Sequence, residues 1–256
     1  MMEWWQILLI VLGSLLLLFV LSIVFYKQFF KRFWDIVLSG LALIVLSPIL
    51  LILMVVGAIA MGGNPFFTQK RPGKKDKNGN ERIFKLIKFR TMSNKKDDSG
   101  NLLPDEQRLN KYGKFLRSTS LDELPELLNI LIGNMSIIGP RPQLVRDMVF
   151  MSKEQRHRHD VRPGLSGLAQ VNGRNNITWE QKFEYDLEYI SKISLLGDIV
   201  LILKTVFKVF KRADTVRDGT ESDIDFGDWL LKEGRIDYLE YEAKQNEAKS
   251  YFGVEK

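Results

Sequence analysis

The chain has 256 residues and no cysteine, so disulfide frameworks and thiolate chemistry are excluded. With 45% hydrophobic and 27% charged residues it can bury one sizeable core, which argues for one domain with appendages. A net charge of +6 and a pI near 9.3 suit an anionic partner, whether a phospholipid surface, a nucleotide or a nucleic acid, and charge alone does not choose among them.

The distribution of apolar residues is more selective. Residues 7–26 carry no charge and match the ~20 residues of a membrane-spanning helix. They predict a transmembrane helix with Trp4 and Trp5 at one interface and Tyr26 and Lys27 at the other. A cleaved signal peptide fits poorly, because Glu3 stands where Lys or Arg is expected and no small-x-small site follows. Lys27, Lys31 and Arg32 against Glu3 put the N-terminus outside and residue 27 onward inside.

A second apolar run covers residues 33–61. As a straight helix it would be roughly 43 Å long, enough to cross a ~30 Å core. A crossing, however, would place the basic residues from Lys70 to Arg90 on the outer side, against the positive-inside bias. Ser47-Pro48 near the middle resolves this: proline removes a helical hydrogen bond and the Ser47 hydroxyl can satisfy the freed carbonyl. The reading is a re-entrant helix-break-helix dipping into one leaflet; an ordinary kinked transmembrane helix is the alternative. Arg32 and Asp35 at its start either pair at headgroup level or leave Arg32 to snorkel alone.

After the turn Gly62-Gly63-Asn64-Pro65, residues 66–69 and 83–89 predict short strands of a hairpin about Asn78-Gly79. Lys88 and Arg90, followed by Thr91-Met92, are either phosphate contacts or a solvated basic strand edge. Residues 105–117 predict a helix delivering Arg117 just ahead of Asp122-Glu123, where it can orient a phosphate or pair with a carboxylate. Pro125 fits only the first turn of the helix that Glu126 to Leu131 continues. Asp122 is then either a helix cap, with Ser120 and Glu123 as a capping box, or a carboxylate held ionised for phosphoryl chemistry. Gly139-Pro140-Arg141-Pro142 fixes an arginine between two prolines.

A polar helix is expected over residues 144–159. His157 and His159, two apart and without cysteine partners, do not read as a zinc site. Gly167 to Asn176, containing Gln170, Asn172, Arg174 and Asn175, is either a sugar- or phosphate-binding loop or a plain connector. Thr178 with Gln181 caps the helix carrying Asp186, a carboxylate that assists the site or faces solvent. Residues 195–211 form an amphipathic helix, either lying on the membrane or facing the core. The acidic stretch 213–256 holds a terminal helix from Trp229 and is assigned no chemistry. Asp223-Ile224-Asp225 and Asp225-Phe226-Gly227 lack the strand context their motifs need, and neither a P-loop nor a dinucleotide fingerprint is present. The fold class is α+β, mainly helical and membrane-associated. Its segments are a transmembrane helix (1–30), a re-entrant helix (31–62), a cytosolic domain with interfacial helices (63–212) and a C-terminal extension (213–256).

From Lys31 to about Arg212 the chain resembles the bacterial sugar transferases, the monotopic polyprenyl-phosphate phosphoglycosyl transferases. The resemblance rests on ordered blocks: Lys31 to Asp35, Ser47-Pro48, Phe67 to Gly73, Lys88 to Met92, Leu121 to Leu124, Gly139 to Pro142, Val161 to Gly164 and Gln170 to Arg174. It implies transfer of a sugar 1-phosphate from a UDP-sugar to undecaprenyl phosphate with release of UMP. In that scheme Asp122 is the covalent nucleophile, Glu123 with Asp122 holds Mg²⁺, and Lys88, Arg117, Arg141, Asp186 and Arg174 lie around the phosphates. The likeness extends to the diacetylbacillosamine-phosphate transferases within the family, which implies an N-acetylated amino sugar. It also implies a bacterial inner membrane with the catalytic domain facing the cytoplasm, phospholipid as a partner, and an oligomeric state left open, a homo-oligomer included. A nucleic-acid partner is disfavoured, since the basic residues lack interleaved aromatics. The competing reading is a non-enzymatic, basic membrane-anchored scaffold in which Asp122 is only a cap.

Overall fold

A computed structural model of the chain describes residues 3–173, 177–211 and 224–251. Helices α1 (Trp4–Val24) and α2 (Lys31–Met61) are joined by a π-helical turn, Tyr26–Phe30. Both are long and apolar enough to cross a membrane, and α1 exposes large aliphatic side chains along its whole length. Such a surface is stable against lipid rather than water, which makes the chain membrane-associated.

Helix α2 runs unbroken through Pro48, so the expected break is not a gap in the helix. The missing Pro48 N–H would have served the Ile44 carbonyl four residues back. Ser47 Oγ donates to that oxygen at 2.7 Å, and the orphaned acceptor is satisfied without the helix ending. The helix stops instead at Gly62, whose φ of 63° suits glycine. At ~1.5 Å per residue α2 is about 46 Å long, and the globular body touches it near both ends. Arg32 donates to the Ile130 and Leu131 carbonyls (2.6 and 2.8 Å), while Asp35 accepts from Ser136 Oγ and the Ile137 N–H (3.0 and 2.9 Å). Arg32 and Asp35 therefore bind the body rather than each other. At the far end Tyr112 OH donates to the Leu53 carbonyl at 2.8 Å and Asn110 Nδ2 to that of Ala60 at 3.1 Å.

The hairpin pairs β1 (Phe66–Lys75) with β2 (Glu81–Phe89), Phe66 opposite Phe89 and Arg71 opposite Phe84. Its turn is closed by Asp76, whose Oδ1 accepts from the N–H groups of Asn78 and Asn80 (2.8 and 3.0 Å). The single helix expected over residues 105–117 is two, α3 (Asp105–Arg108) and α4 (Lys111–Thr119). Asn110 separates them because its side chain caps α4, accepting from the Gly113 N–H at 2.8 Å.

Next come α5 (Glu126–Ile132) and β3 (Ser136–Ile138). The polar helix expected over residues 144–159 is only α6 (Val145–Met148) and a 3₁₀ turn, Gln155–Asp160. Ser152 and Gln155 exchange backbone-to-side-chain hydrogen bonds (2.9 and 3.2 Å) that start a new turn instead of prolonging the first. Strand β4 (Gly164–Ser166) pairs in parallel with β3 and leads into α7 (Leu168–Val171).

Helix α8 (Trp179–Ser191) opens on the expected Thr178–Gln181 capping box. Helix α9 (Leu195–Lys211) buries Leu201 and exposes Leu196, Leu203 and Phe207. In its first turn the buried Asp198 accepts from Tyr26 OH (2.7 Å) and Tyr189 OH (2.9 Å) and pairs with Lys31 Nζ (2.6 Å), stitching the α1–α2 junction to α8 and α9. Helices α10 (Phe226–Lys232) and α11 (Tyr238–Ser250) close the described chain. Phe226 packs with Met151, Trp179 and Phe183, so this end folds back onto the body. The architecture is mainly helical with two small two-stranded sheets, the class expected.

Candidate active site

Strand β2 buries Phe84 and Leu86, and Lys88, two residues further on, continues that face. The strand is fixed to α5 by Asn129, whose Nδ2 donates to the Lys85 carbonyl (2.8 Å) and whose Oδ1 accepts from the Ile87 N–H (3.0 Å). Helix α4 ends at Ser120, which adopts a left-handed φ of 56° and redirects the chain into a 3₁₀ turn, Leu121–Glu123. No side-chain cap bond forms there. The capping box expected of Ser120 and Glu123 is therefore not found, and Asp122 has no hydrogen-bond partner among the described residues.

Glu123 Oε1 accepts from Lys88 Nζ at 2.8 Å and from Arg141 Nη2 at 2.7 Å. Burial alone would raise the Glu123 carboxyl, but Arg141 and Lys88 pull it far below the usual carboxylate range. Asp122 goes the other way: burial, reinforced by the Glu123 charge and opposed by Lys88, Arg141 and Arg117, pushes it up to about 6. A third carboxylate, Glu126, lies 3.1 Å from Lys88 and is 2% exposed. Burial, with Glu123 adding repulsion and Lys88 opposing, pushes it up to about 7. The sequence reading passed over Glu126 as helix continuation.

Arg141 is placed by its own backbone. Gly139 N–H donates to the Ser166 carbonyl (2.8 Å) and Gly164 N–H to that of Pro140 (2.9 Å). A Cβ on Gly164 would stand 2.1 Å from the Gly139 nitrogen, so the approach requires glycine there. The next carbonyls are held by two arginines: Arg158 Nη2 donates to Arg141 O (2.7 Å) and Arg71 Nη1 to Pro142 O (3.1 Å). Arg158 is 2% exposed and also donates to Asp186 Oδ2 through Nε (3.0 Å) and Nη2 (2.6 Å). Asp186 thus lines the cleft while engaged by Arg158, its carboxyl raised by burial against the opposing pull of that guanidinium. Among the described residues Arg117 pairs with no carboxylate; its Nε donates to Thr91 Oγ1 at 3.1 Å. Arg174 lies outside the described residues.

Lys88, Arg117, Asp122, Glu123, Arg141 and Asp186 share one polar cleft of about 750 Å³. Ile224 and Asp225, just ahead of α10, form part of its wall. An apolar groove of about 360 Å³ runs beneath α9 and shares Ser120, Glu123, Arg141 and Gln170 with the cleft. Gln170 is buried with both amide atoms lacking a partner among the described residues, which is costly unless a ligand supplies one. No cluster of three or more metal-binding side chains exists among the described residues. The donor set nevertheless fits Mg²⁺, which takes one or two carboxylates and completes its shell with phosphate oxygens and water. Asp122 accepts no hydrogen bond among the described residues, and both cation contacts of Glu123 fall on Oε1.

Glu126→Gln is expected to stabilise the protein at high pH. Between its ordinary value and about 7, Glu126 keeps a proton in the fold that the unfolded chain has lost, so stability falls as pH rises through that window. The variant escapes the fall. Thermal unfolding should show a gain of roughly 1–3 kcal/mol at pH 8 and little difference below pH 5. Equal gains at both pH values would mean that Glu126 titrates normally.

Carboxylates set beside fixed cations, in a cleft of a body held against the apolar helix α2, suit a membrane-associated protein that takes anionic substrates. The chain belongs to the bacterial sugar transferase family, whose model matches residues 26–212. It is 44% identical over 179 residues to the uncharacterized sugar transferase EpsL of Bacillus subtilis, covering 70% of this chain and 86% of that one. It is 42% identical over 191 residues to a UDP-glucose:undecaprenyl-phosphate glucose-1-phosphate transferase of Klebsiella pneumoniae, covering 71% of this chain and 40% of that one. To a UDP-galactose-lipid carrier transferase of Erwinia amylovora it is 33% identical over 203 residues, covering 73% and 41%. The match thus spans about two fifths of the length of the last two relatives.

Proposed function

We propose that the chain transfers a sugar 1-phosphate from a UDP-sugar to undecaprenyl phosphate, with Asp122 as nucleophile. The observation that carries this reading is the setting of Asp122. It lacks a hydrogen-bond partner, adjoins a Glu123 locked by Lys88 and Arg141, and lies in a polar cleft that shares its edge with an apolar groove.

A carboxylate oxygen of Asp122 attacks the β-phosphorus of the donor, the bond from that phosphorus to the bridging oxygen breaks, and UMP leaves. An oxygen of undecaprenyl phosphate then attacks the same phosphorus, displacing Asp122 and regenerating its carboxylate. Lys88, Arg117 and Arg141 stabilise the charge on the phosphoryl oxygens, and Arg158 with Asp186 positions Arg141. Arg174 joins this set on the resemblance alone. Asp122 and Glu123 would hold Mg²⁺, which would supply neutralisation of the diphosphate.

The lipid acceptor enters along the apolar groove, in keeping with its Leu, Ile and Val lining and with Arg141 at its polar end. Helix α2 is re-entrant and the body faces the cytoplasm. The contacts at Arg32–Asp35 and at Leu53–Ala60 support this, because a helix crossing the bilayer would separate them by the ~30 Å hydrocarbon core. The donor is a UDP-hexose. The names of the relatives favour UDP-glucose or UDP-galactose over the N-acetylated amino sugar that the resemblance implies.

The test is UMP release by the purified full chain with Mg²⁺ and UDP-glucose, UDP-galactose, UDP-N-acetylglucosamine or UDP-diacetylbacillosamine. A near-stoichiometric burst without acceptor, becoming sustained turnover with undecaprenyl phosphate, is expected for one donor. Folded protein releasing UMP from none of them, with acceptor present, would overturn the reading for these sugars.

A further inference from the structure

A second cavity, of about 370 Å³, lies between the hairpin turn and the end of α5 and shares no lining residue with the catalytic cleft. Lys74, Lys77, Arg82 and Arg162 line it, with Gly133 and Asn134 as its floor. The acidic groups nearby are already engaged. Asp76 is spent on closing its own turn, and Asp160 pairs with Lys75 at 2.7 Å. Lys74, Lys77 and Arg82 have no hydrogen-bond or ion-pair partner among the described residues. Arg162 is oriented, since its Nε donates to the Gly133 carbonyl at 2.8 Å.

This concentration of positive charge stands beside an exposed apolar surface. Ile132, directly before Gly133, is 66% exposed, and a Cβ at Gly133 would stand 3.3 Å from the guanidinium of Arg32 at the start of α2. A basic recess at the foot of an apolar face suits headgroup depth, where anionic lipids concentrate.

We infer that this cavity binds the phosphate headgroup of an anionic membrane phospholipid. The site is separate from the one that takes donor and acceptor, and its ligand is a structural lipid that seats the hairpin on the membrane. Lys74, Lys77 and Arg82 supply the attraction, and Arg162 and Asn134 supply directed N–H groups.

The experiment uses the full chain in nonionic-detergent micelles doped with phosphatidylglycerol or phosphatidylcholine, reading thermal unfolding against mole fraction of lipid. Stabilisation by phosphatidylglycerol and not phosphatidylcholine is expected. Replacing Lys74, Lys77 and Arg82 together by Gln should weaken the apparent affinity by roughly 100-fold. Arg82→Gln alone should show a smaller loss in the same direction. The melting temperature in lipid-free micelles should be unchanged in both variants, which checks folding and keeps the result independent of the proposed reaction. The same phosphatidylglycerol preference in the triple variant, or none in the wild type, would overturn the inference. Equal stabilisation by soluble glycerol phosphate would overturn its assignment to a lipid.

Discussion

Asp122→Asn is expected to lower kcat for sugar-phosphate transfer by at least about 1,000-fold, the scale of loss when a covalent nucleophile is removed. The substitution is nearly isosteric, and among the described residues Asp122 makes no hydrogen bond that the amide would break. Its charge is also one the fold disfavours, as the upward shift to about 6 records. The melting temperature should therefore stay level or rise while turnover disappears. Intact mass of the wild type after donor alone should show a phosphosugar adduct on Asp122, absent from the variant. Wild-type kcat/KM should climb through pH 6 as the carboxyl ionises and level off above it. Full activity in the variant would remove Asp122 from the reaction.

The second large effect is expected from Arg158→Met. The substitution leaves Asp186 buried without its partner and frees the Arg141 carbonyl. Breaking one half of a buried ion pair costs about 3–5 kcal/mol, on the order of 10 °C in melting temperature for a chain of this size. The double variant Arg158→Met with Asp186→Leu replaces the pair by apolar packing and should recover most of that stability. It should not recover transfer, because the hydrogen bond that sets the Arg141 backbone is still absent. Recovery of both would show that Arg158 acts on stability alone.

Local signals carried the elements whose reasons are local. The hairpin, α5 and α9 follow from strand alternation, the Pro125 position and helical periodicity. The Thr178–Gln181 box is likewise a four-residue fact. Failures came where a side chain three residues away competes with the helix. Asn110 divides one expected helix and the Ser152–Gln155 exchange cuts short another.

The site followed the same division. Lys88, Arg117, Asp122, Glu123, Arg141 and Asp186 were each singled out in the sequence and share one cleft. Glu126 and Arg158 were not, because their partners are distant along the chain: Lys88 for Glu126, and Asp186 and Arg141 for Arg158. Nothing in Pro125-Glu126-Leu127 distinguishes a buried carboxylate from a solvated one. Arg158 is hidden in the basic run Arg156-His157-Arg158-His159, where only Arg158 reaches Asp186. The cap reading of Asp122 failed for a geometric reason: the left-handed Ser120 inserts a 3₁₀ turn before α5, and the pair lies outside the helix it was expected to start.

The shared edge between the cleft and the groove under α9 has a kinetic consequence for the proposed reaction. UMP departs into water, whereas the lipid-linked product slips sideways into the bilayer plane. The two products are diluted in different phases, one in three dimensions and one in two. Reversal requires both to revisit the same Asp122 in sequence. Because donor and acceptor are divided between the same two phases, this nearly balanced phosphoanhydride exchange takes its direction from the removal of UMP in water and of the lipid-linked product in the membrane.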